Sequence, residues 1–274
     1  MILLDGKKVS SELIDNYKKI IEEENLSIKF AIIWVGDNPA SSIYVNNKIK
    51  KCESVGIDVT LYHLSDNTKE EELLKLIDDL NNDSSINGIL VQSPIGNIKD
   101  ESKIFNRIDE SKDIDGFSKS SIGNLVLGTP KFVSCTPLGI MKLLDYYKID
   151  VSGKHVVIIN RSNIVGKPLF QLLINRDATV TMCHSKTTNL SKYTRCADIL
   201  ITAVGKPNFI TSDMVSDGVT IIDVGISRVD GKVVGDVDFE GVKDKCYAIT
   251  PVPGGVGPMT ITSVLNNLIE SGRN

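Results

Sequence analysis

The chain has a single tryptophan, 5% aromatic residues and five scattered cysteines, Cys52, Cys135, Cys183, Cys196 and Cys246. No two of them form a CxxC pair, so neither a zinc site nor a disulfide framework is expected, and an odd number of thiols fits a reducing, cytoplasmic setting. No apolar run approaches the roughly 20 residues needed to cross a bilayer. The apolar start Ile2 to Leu4 is followed at once by Asp5, Lys7 and Lys8, so no secretory leader is expected. Charge of one sign is equally scarce. The sum of 31 basic and 35 acidic residues is −4, with the bases dispersed along the chain. That pattern argues against a nucleic-acid or membrane partner and leaves a small molecule as the expected one. The three histidines, His63, His155 and His184, sit in strand-like or strand-end contexts and read as core or surface side chains, so no metal is expected. Solenoid repeats and low-complexity tracts are absent as well.

What the chain does have is bulk: 274 residues, 41% of them hydrophobic, enough for one large or two ordinary domains. Leu13, Ile14, Tyr17, Ile20 and Ile21 share a helical face behind Ser10 as a cap. A strand from Phe30 to Val35 then runs through Gly36 and Pro39 into a helix with Val45, Ile49 and Cys52 on its buried stripe. Alternating Ile57, Val59 and Leu61 predict a strand, Leu73 to Leu80 a helix, and Ile86 to Gln92 a third strand stopped by Ser93 and Pro94. Thr136 and Pro137 open another helix as cap and first-turn proline. Beyond it strand and helix alternate, with strands at 155–160, 179–183, 198–204 and 219–224 and a short one ending near Thr250. Connections of this length predict a parallel, doubly wound sheet with its ligand at the carboxyl ends of the strands.

The most informative stretch is Lys154 to Phe170. Val156 to Ile159 are four consecutive branched apolar residues, followed by a polar turn and then Gly166. This is a buried strand feeding a helix N-terminus, where unpaired amides attract anions. Only one glycine of a GxGxxG is present, but Arg161 and Ser162 stand at the strand end, where a guanidinium fork and a hydroxyl can hold a phosphate. Elsewhere, Tyr44 and Lys48 form a YxxxK pair, with a lysine able to act as acid or base. Gln92 at a strand end can hold that amine, and Asp115 can either accept paired N–H donors from a heterocycle or cap its own turn. Pro251 to Pro258 packs three prolines and three glycines into eight residues, a stiff backbone that a flat ligand can approach closely. The short-chain dehydrogenases also use YxxxK, but there the nucleotide turn precedes it, whereas here it follows more than a hundred residues later.

Taken together, residues 36–56, 88–94, 112–117, 135–139, 161–168, 178–187, 197–207, 222–226 and 250–260 resemble the bifunctional methylenetetrahydrofolate dehydrogenase and methenyltetrahydrofolate cyclohydrolase family, in the family's order. The resemblance implies two α/β domains, the second Rossmann-like, with a cleft between them. Residues 1–138 with the C-terminal helix 259–274 would bind folate and residues 139–258 would bind NADP. It implies Lys48 as the catalytic lysine, positioned by Gln92, with Tyr44 stacking near the folate and Asp115 on the pterin ring. Val91, Ser93, Pro253, Gly254, Gly255 and Gly257 would complete the substrate contacts. Asn160, Arg161, Ser162, Gly166, Ser185 and Ile226 would meet the cofactor, Arg161, Ser162 and Ser185 at the 2'-phosphate. A homodimer serving one-carbon metabolism is implied too. Two places depart from the family's pattern. Asn160 stands where a glycine begins the GRS motif, and Ser93 and Gly96 replace apolar or proline residues. Such changes also permit a nucleotide-binding regulatory homologue with reduced turnover.

Overall fold

In the computed structural model, which describes residues 1–273, two parallel sheets are built from strands joined largely through helices. The first ten elements are β1 (Ile2–Leu3), α1 (Gly6–Glu23), β2 (Lys29–Val35), α2 (Pro39–Ser54), β3 (Asp58–Leu64), α3 (Glu70–Asn82), β4 (Gly88–Gln92), α4 (Glu101–Phe105), α5 (Lys119–Val126) and α6 (Cys135–Tyr146). After them come β5 (His155–Ile159), α7 (Gly166–Ile174), β6 (Thr179–Cys183), α8 (Leu190–Thr194), β7 (Ile199–Thr202), β8 (Val219–Asp223), β9 (Ser227–Val229), β10 (Lys232–Val234), α9 (Phe239–Val242), β11 (Cys246–Ile249) and α10 (Val256–Gly272). They form two compact units, one of residues Glu12–Cys135 with Ile261 onward, the other of Met1–Ser11 with Thr136–Thr260.

The first unit is built on a three-stranded parallel sheet in the order β3-β2-β4. Strand β2 is buried from Phe30 to Val35 and serves both faces, because successive side chains alternate across a strand. Phe30, Ile32 and Trp34 pack with Ile14 and Tyr17 of α1, Val45 of α2 and Val264 to Ile269 of α10. Ala31, Ile33 and Val35 face Leu73, Ile77 and Leu80 of α3 on the other side. The chain leaves β2 for β3 and returns to the other side of β2 as β4, so the switch in strand order falls between β2 and β4. Trp34 and Gln92 are register partners at that point.

The second unit holds six parallel strands in the order β1-β11-β8-β7-β5-β6. Its core gathers Val157, Ile159, Leu200, Ile221 and Ile249 from four strands. Strand order reverses between β5 and β7, the position at which doubly wound sheets hold ligands. Outside this sheet, β9 and β10 make an antiparallel hairpin around Asp230 and Gly231, both at positive φ.

Several boundaries differ from the sequence reading. Helix α1 starts at Gly6, four residues before Ser10. The Asp5 carboxylate accepts the Lys8 amide at 3.1 Å, so Asp5 does the capping and Ser10 is buried inside the helix. Helix α6 starts at Cys135 rather than after Thr136, whose hydroxyl instead lies 3.0 Å from that of Thr260. Residues Ile2 and Leu3 pair with Ala248 and Ile249 in the six-stranded sheet, although a reading from sequence order grouped them with the first half. Helix α10 begins at Val256, inside the proline- and glycine-rich loop, not at Met259. Among the described residues no helix is long and apolar enough to cross a membrane.

Candidate functional site

Helix α2 turns Lys48 inward, to 7% exposure, with its Nζ donating to Gln92 Oε1 at 3.1 Å. A buried ammonium needs acceptors, and the strand end supplies one. The other end of the carboxamide is also used, because Gln92 Nε2 donates to the Ser93 carbonyl at 2.8 Å. That contact fixes the amide so that its oxygen faces the lysine. Glu101 then holds the next turn, accepting from the Ser93 hydroxyl and the Ile95 amide at 2.8 Å each. Ser93, a departure from the family pattern, therefore gains a partner. Tyr44, one helical turn before Lys48, is 43% exposed. The Val91 side chain is buried in the α3-side core, so its main chain is the part that can face a ligand.

Asp115 is placed by its neighbours. The Ile89 amide donates to the Lys112 carbonyl at 2.8 Å, laying this loop along β4. Lys112 Nζ caps the end of α3 through the carbonyls of Leu80, Asn81 and Asp83. The buried Asp113 carboxylate accepts from the Ser118 amide at 2.9 Å and the Ser121 hydroxyl at 2.7 Å. At Gly116, φ is +63° and an added Cβ would come within 2.9 Å of the Ser134 amide nitrogen, so glycine is required there. Asn267 of α10 donates to the carbonyls of Ile114 and Val133 at 2.8 and 2.9 Å, tying both loops together. Burial pushes the Asp115 carboxyl above the usual range, while the Lys48 ammonium pulls it down. Burial, and then the negative field of Asp115, push the Cys135 thiol well up, which keeps it an inert thiol. Lys48, Gln92, Asp115 and Cys135 thus form one electrostatic neighbourhood.

In the second unit a cavity of about 320 Å³ opens at the carboxyl ends of β5, β6 and β7. Asn160, Arg161, Ser162 and Ser185 line it, as the sequence reading expects, together with His184 and Lys206. Leu190, Val204 and Phe209 form apolar wall, and Lys206 Nζ lies 5.6 Å from the Phe209 ring centroid. A fork, two hydroxyls and an ammonium beside apolar wall suit the phosphorylated adenosine half of a dinucleotide. Gly166 is the first residue of α7, and its missing Cβ leaves room for the Asn160 carbonyl, which would lie 2.4 Å away.

A second cavity in this unit, about 170 Å³, is lined by Ile226, Pro253, Gly254, Gly255 and Gly257 with Lys7 and Asp223. Asp223 accepts the amides of Gly225, Asp236 and Val237 at 2.9 to 3.0 Å, which fixes the turn that presents Ile226. Asp236 does the same for the β7 end, accepting from Thr202, Val204 and Lys206 at 2.6 to 3.0 Å. Burial pushes the Asp223 carboxyl up from 3.8 to about 6, helped by Asp236 and resisted by the donated amides. A carboxyl raised on folding contributes its stability below its unfolded value and loses it as pH climbs through the folded one. Stability relative to an Asp223→Asn variant should therefore fall by roughly 3 kcal/mol between about pH 4 and pH 6 to 7. Urea unfolding of both proteins across that range checks this, and parallel curves would contradict it.

Lys206, Glu101, Asp113 and Asn267 escape a reading of the sequence, since isolated polar residues carry no periodic signal. Among the described residues no cluster of histidine, cysteine and carboxylate could hold a metal ion. Residues 4–115 match the family described as tetrahydrofolate dehydrogenase/cyclohydrolase, catalytic domain, and residues 134–274 match its NAD(P)-binding domain. A "Bifunctional protein FolD" of Francisella philomiragia is 52% identical, covering 98% of both chains. The FolD methylenetetrahydrofolate dehydrogenase/cyclohydrolase structure from Campylobacter jejuni is 50% identical over 100% of this chain and 99% of that one, with a TM-score of 0.97. The Trypanosoma brucei methylenetetrahydrofolate dehydrogenase-cyclohydrolase, solved with NADP and an inhibitor, is 29% identical over 100% and 97% of the two chains, with a TM-score of 0.94. With both domains matched and half the residues shared with full-length relatives, the chain belongs to the tetrahydrofolate dehydrogenase/cyclohydrolase family.

Proposed function

We propose that this chain oxidises 5,10-methylenetetrahydrofolate to the 5,10-methenyl form with NADP and hydrolyses that product to 10-formyltetrahydrofolate, with Lys48 moving the protons of the second step. The observation that carries this reading is the buried Lys48 amine, set on the Gln92 amide oxygen beside the half-buried Asp115 carboxyl. The relatives' named activities support the pair of reactions, and the YxxxK pair needs no separate dehydrogenase reading.

When bound, NADP would supply the hydride acceptor for the methylene bridge, whose two flanking folate nitrogens can carry the resulting positive charge. The first step needs alignment more than proton transfer. Asp115 accepts paired N–H donors of the pterin ring, a partner that favours the charged form of a carboxyl otherwise raised by burial. Tyr44 offers an exposed ring for stacking. In the second step water adds to the methenyl carbon and one C–N bond breaks. In its neutral form Lys48 Nζ takes a proton from the adding water and returns it to the departing nitrogen, the second water proton leaves to solvent as the formyl group forms, and Gln92 keeps the amine in place. Arg161, Ser162, Ser185 and Lys206, which line one cavity, would hold the 2'-phosphate end of NADP. Ile226 and the 253–257 loop would serve its ring end.

We assign the folate chemistry to residues 12–135 with the C-terminal helix from Ile261 onward, and the cofactor to residues 136–260. A cytoplasmic homodimer belongs to the same proposal. Five free cysteines support the reducing location and family resemblance supports the dimer. The test is decay of 5,10-methenyltetrahydrofolate absorbance when the purified chain is added without NADP. Enzyme-dependent decay supports the hydrolytic half, and decay at the buffer rate would remove it.

A further inference from the structure

The Asn160 side chain occupies the switch point of the six-stranded sheet. Its Oδ1 accepts the amides of Ser162 at 2.7 Å and Gly166 at 3.0 Å, and its Nδ2 donates to the Ala203 carbonyl at 2.6 Å. The Ser162 hydroxyl takes a third amide of the same turn, that of Val165, at 3.1 Å. In a doubly wound sheet this turn, from the strand beside the switch point into its helix, is where backbone amides hold a dinucleotide's pyrophosphate. A glycine at position 160 would leave the amides of Ser162 and Gly166 without this acceptor. Here a neutral carboxamide takes both donors and also braces β5 against the end of β7.

We propose that Asn160 is a specificity-determining residue for the cofactor. By withdrawing these amides from the pyrophosphate it leaves the anion grip to the side chains Arg161, Ser162, Ser185 and Lys206, which favour a ligand carrying a 2'-phosphate. The inference rests on the reading of the 320 Å³ cavity as the NADP site. It makes the preference for NADP over NAD a product of two things, side chains that attract the extra phosphate and a turn that gives little to the phosphates both cofactors share.

Two small probes separate these contributions: adenosine 2'-monophosphate, which carries only the 2'-phosphate, and ADP, which carries only the pyrophosphate. Calorimetric titration of each into the full-length chain gives a ratio of dissociation constants that is insensitive to partial loss of folded protein. Asn160→Gly should tighten ADP about tenfold, the scale of hydrogen bonds to a charged group, and leave adenosine 2'-monophosphate within about threefold, so the ratio narrows about tenfold. Asn160→Ala frees the same amides without the flexibility of glycine and should narrow the ratio in the same direction. A ratio unchanged within about threefold in both variants would overturn the proposal, because Asn160 would then only brace the turn. If neither probe nor NADP binds the unmodified chain, the cavity reading itself fails, and the proposal with it.

Discussion

Replacing Lys48 with methionine should abolish hydrolysis of 5,10-methenyltetrahydrofolate, with a loss of at least about 10²-fold, the lower range for a removed general acid–base group. NADP should still bind, because Lys48 is in neither the cavity lined by residues 159–209 nor the one lined by Ile226. The unbranched side chain keeps most of the packing but removes the donor to Gln92 Oε1, a part-buried acceptor, at about 1 kcal/mol of stability. The loss of the ammonium should also push the Asp115 carboxyl and the Cys135 thiol further up, since Lys48 holds both down. Stopped-flow decay of the methenyl absorbance, beside a calorimetric titration with NADP, reads both effects. Hydrolysis at the unmodified rate would take Lys48 out of the chemistry.

The second large effect is expected at Arg161. Arg161→Ala should weaken NADP by about 1–3 kcal/mol more than NAD, the scale of one lost charge-assisted contact. Arg161 is exposed and lies beside Ser162 and Ser185 in the cavity lining, so its removal should cost affinity rather than fold. Higher salt should reproduce part of the loss in the unmodified chain, because an exposed guanidinium is screened. Competitive titration with the two cofactors gives the comparison. Equal weakening of both would mean that Arg161 does not read the 2'-phosphate.

The strands that carry the site were legible because their burial is total or periodic. Four branched residues in a row at 156–159 and the run Phe30 to Val35 fit only buried parallel strands, and both became central strands. Gln92 and the Asn160 to Ser162 turn followed from them, as the residues where those runs stop. The pairing of Lys48 with Gln92 required only that a lysine on the helix after β2 reach the end of β4, the neighbour of β2 in the sheet. What stayed hidden was held by single polar contacts. Ser10 was read as the cap and Asp5 was not considered for that role, because both are acceptable caps and nothing local chooses between them. The Asp230–Gly231 turn was legible in principle, since an Asp-Gly pair is a strong hairpin signal, but the flanking strands have three residues each and show no alternation. Asn267 lies 152 residues from Asp115 in sequence and acts through two carbonyls, which no periodicity records. The carboxylates of Asp223 and Asp236 are similar: each accepts three donors, most of them backbone amides, so their role is visible only once the loops are folded. Asn160 stood out as a departure from a glycine, and the structure gives that departure a set of partners.

The central claim is that one chain runs the oxidation and the hydrolysis in succession, and one assay addresses it directly. The purified protein is mixed with 5,10-methylenetetrahydrofolate and NADP, and the NADPH and methenyl absorbances are followed together. The account predicts that both rise, that the methenyl signal then decays to 10-formyltetrahydrofolate while NADPH persists, and that NAD substitutes poorly. Absence of NADPH formation, or a methenyl signal that never decays faster than in buffer, would contradict it.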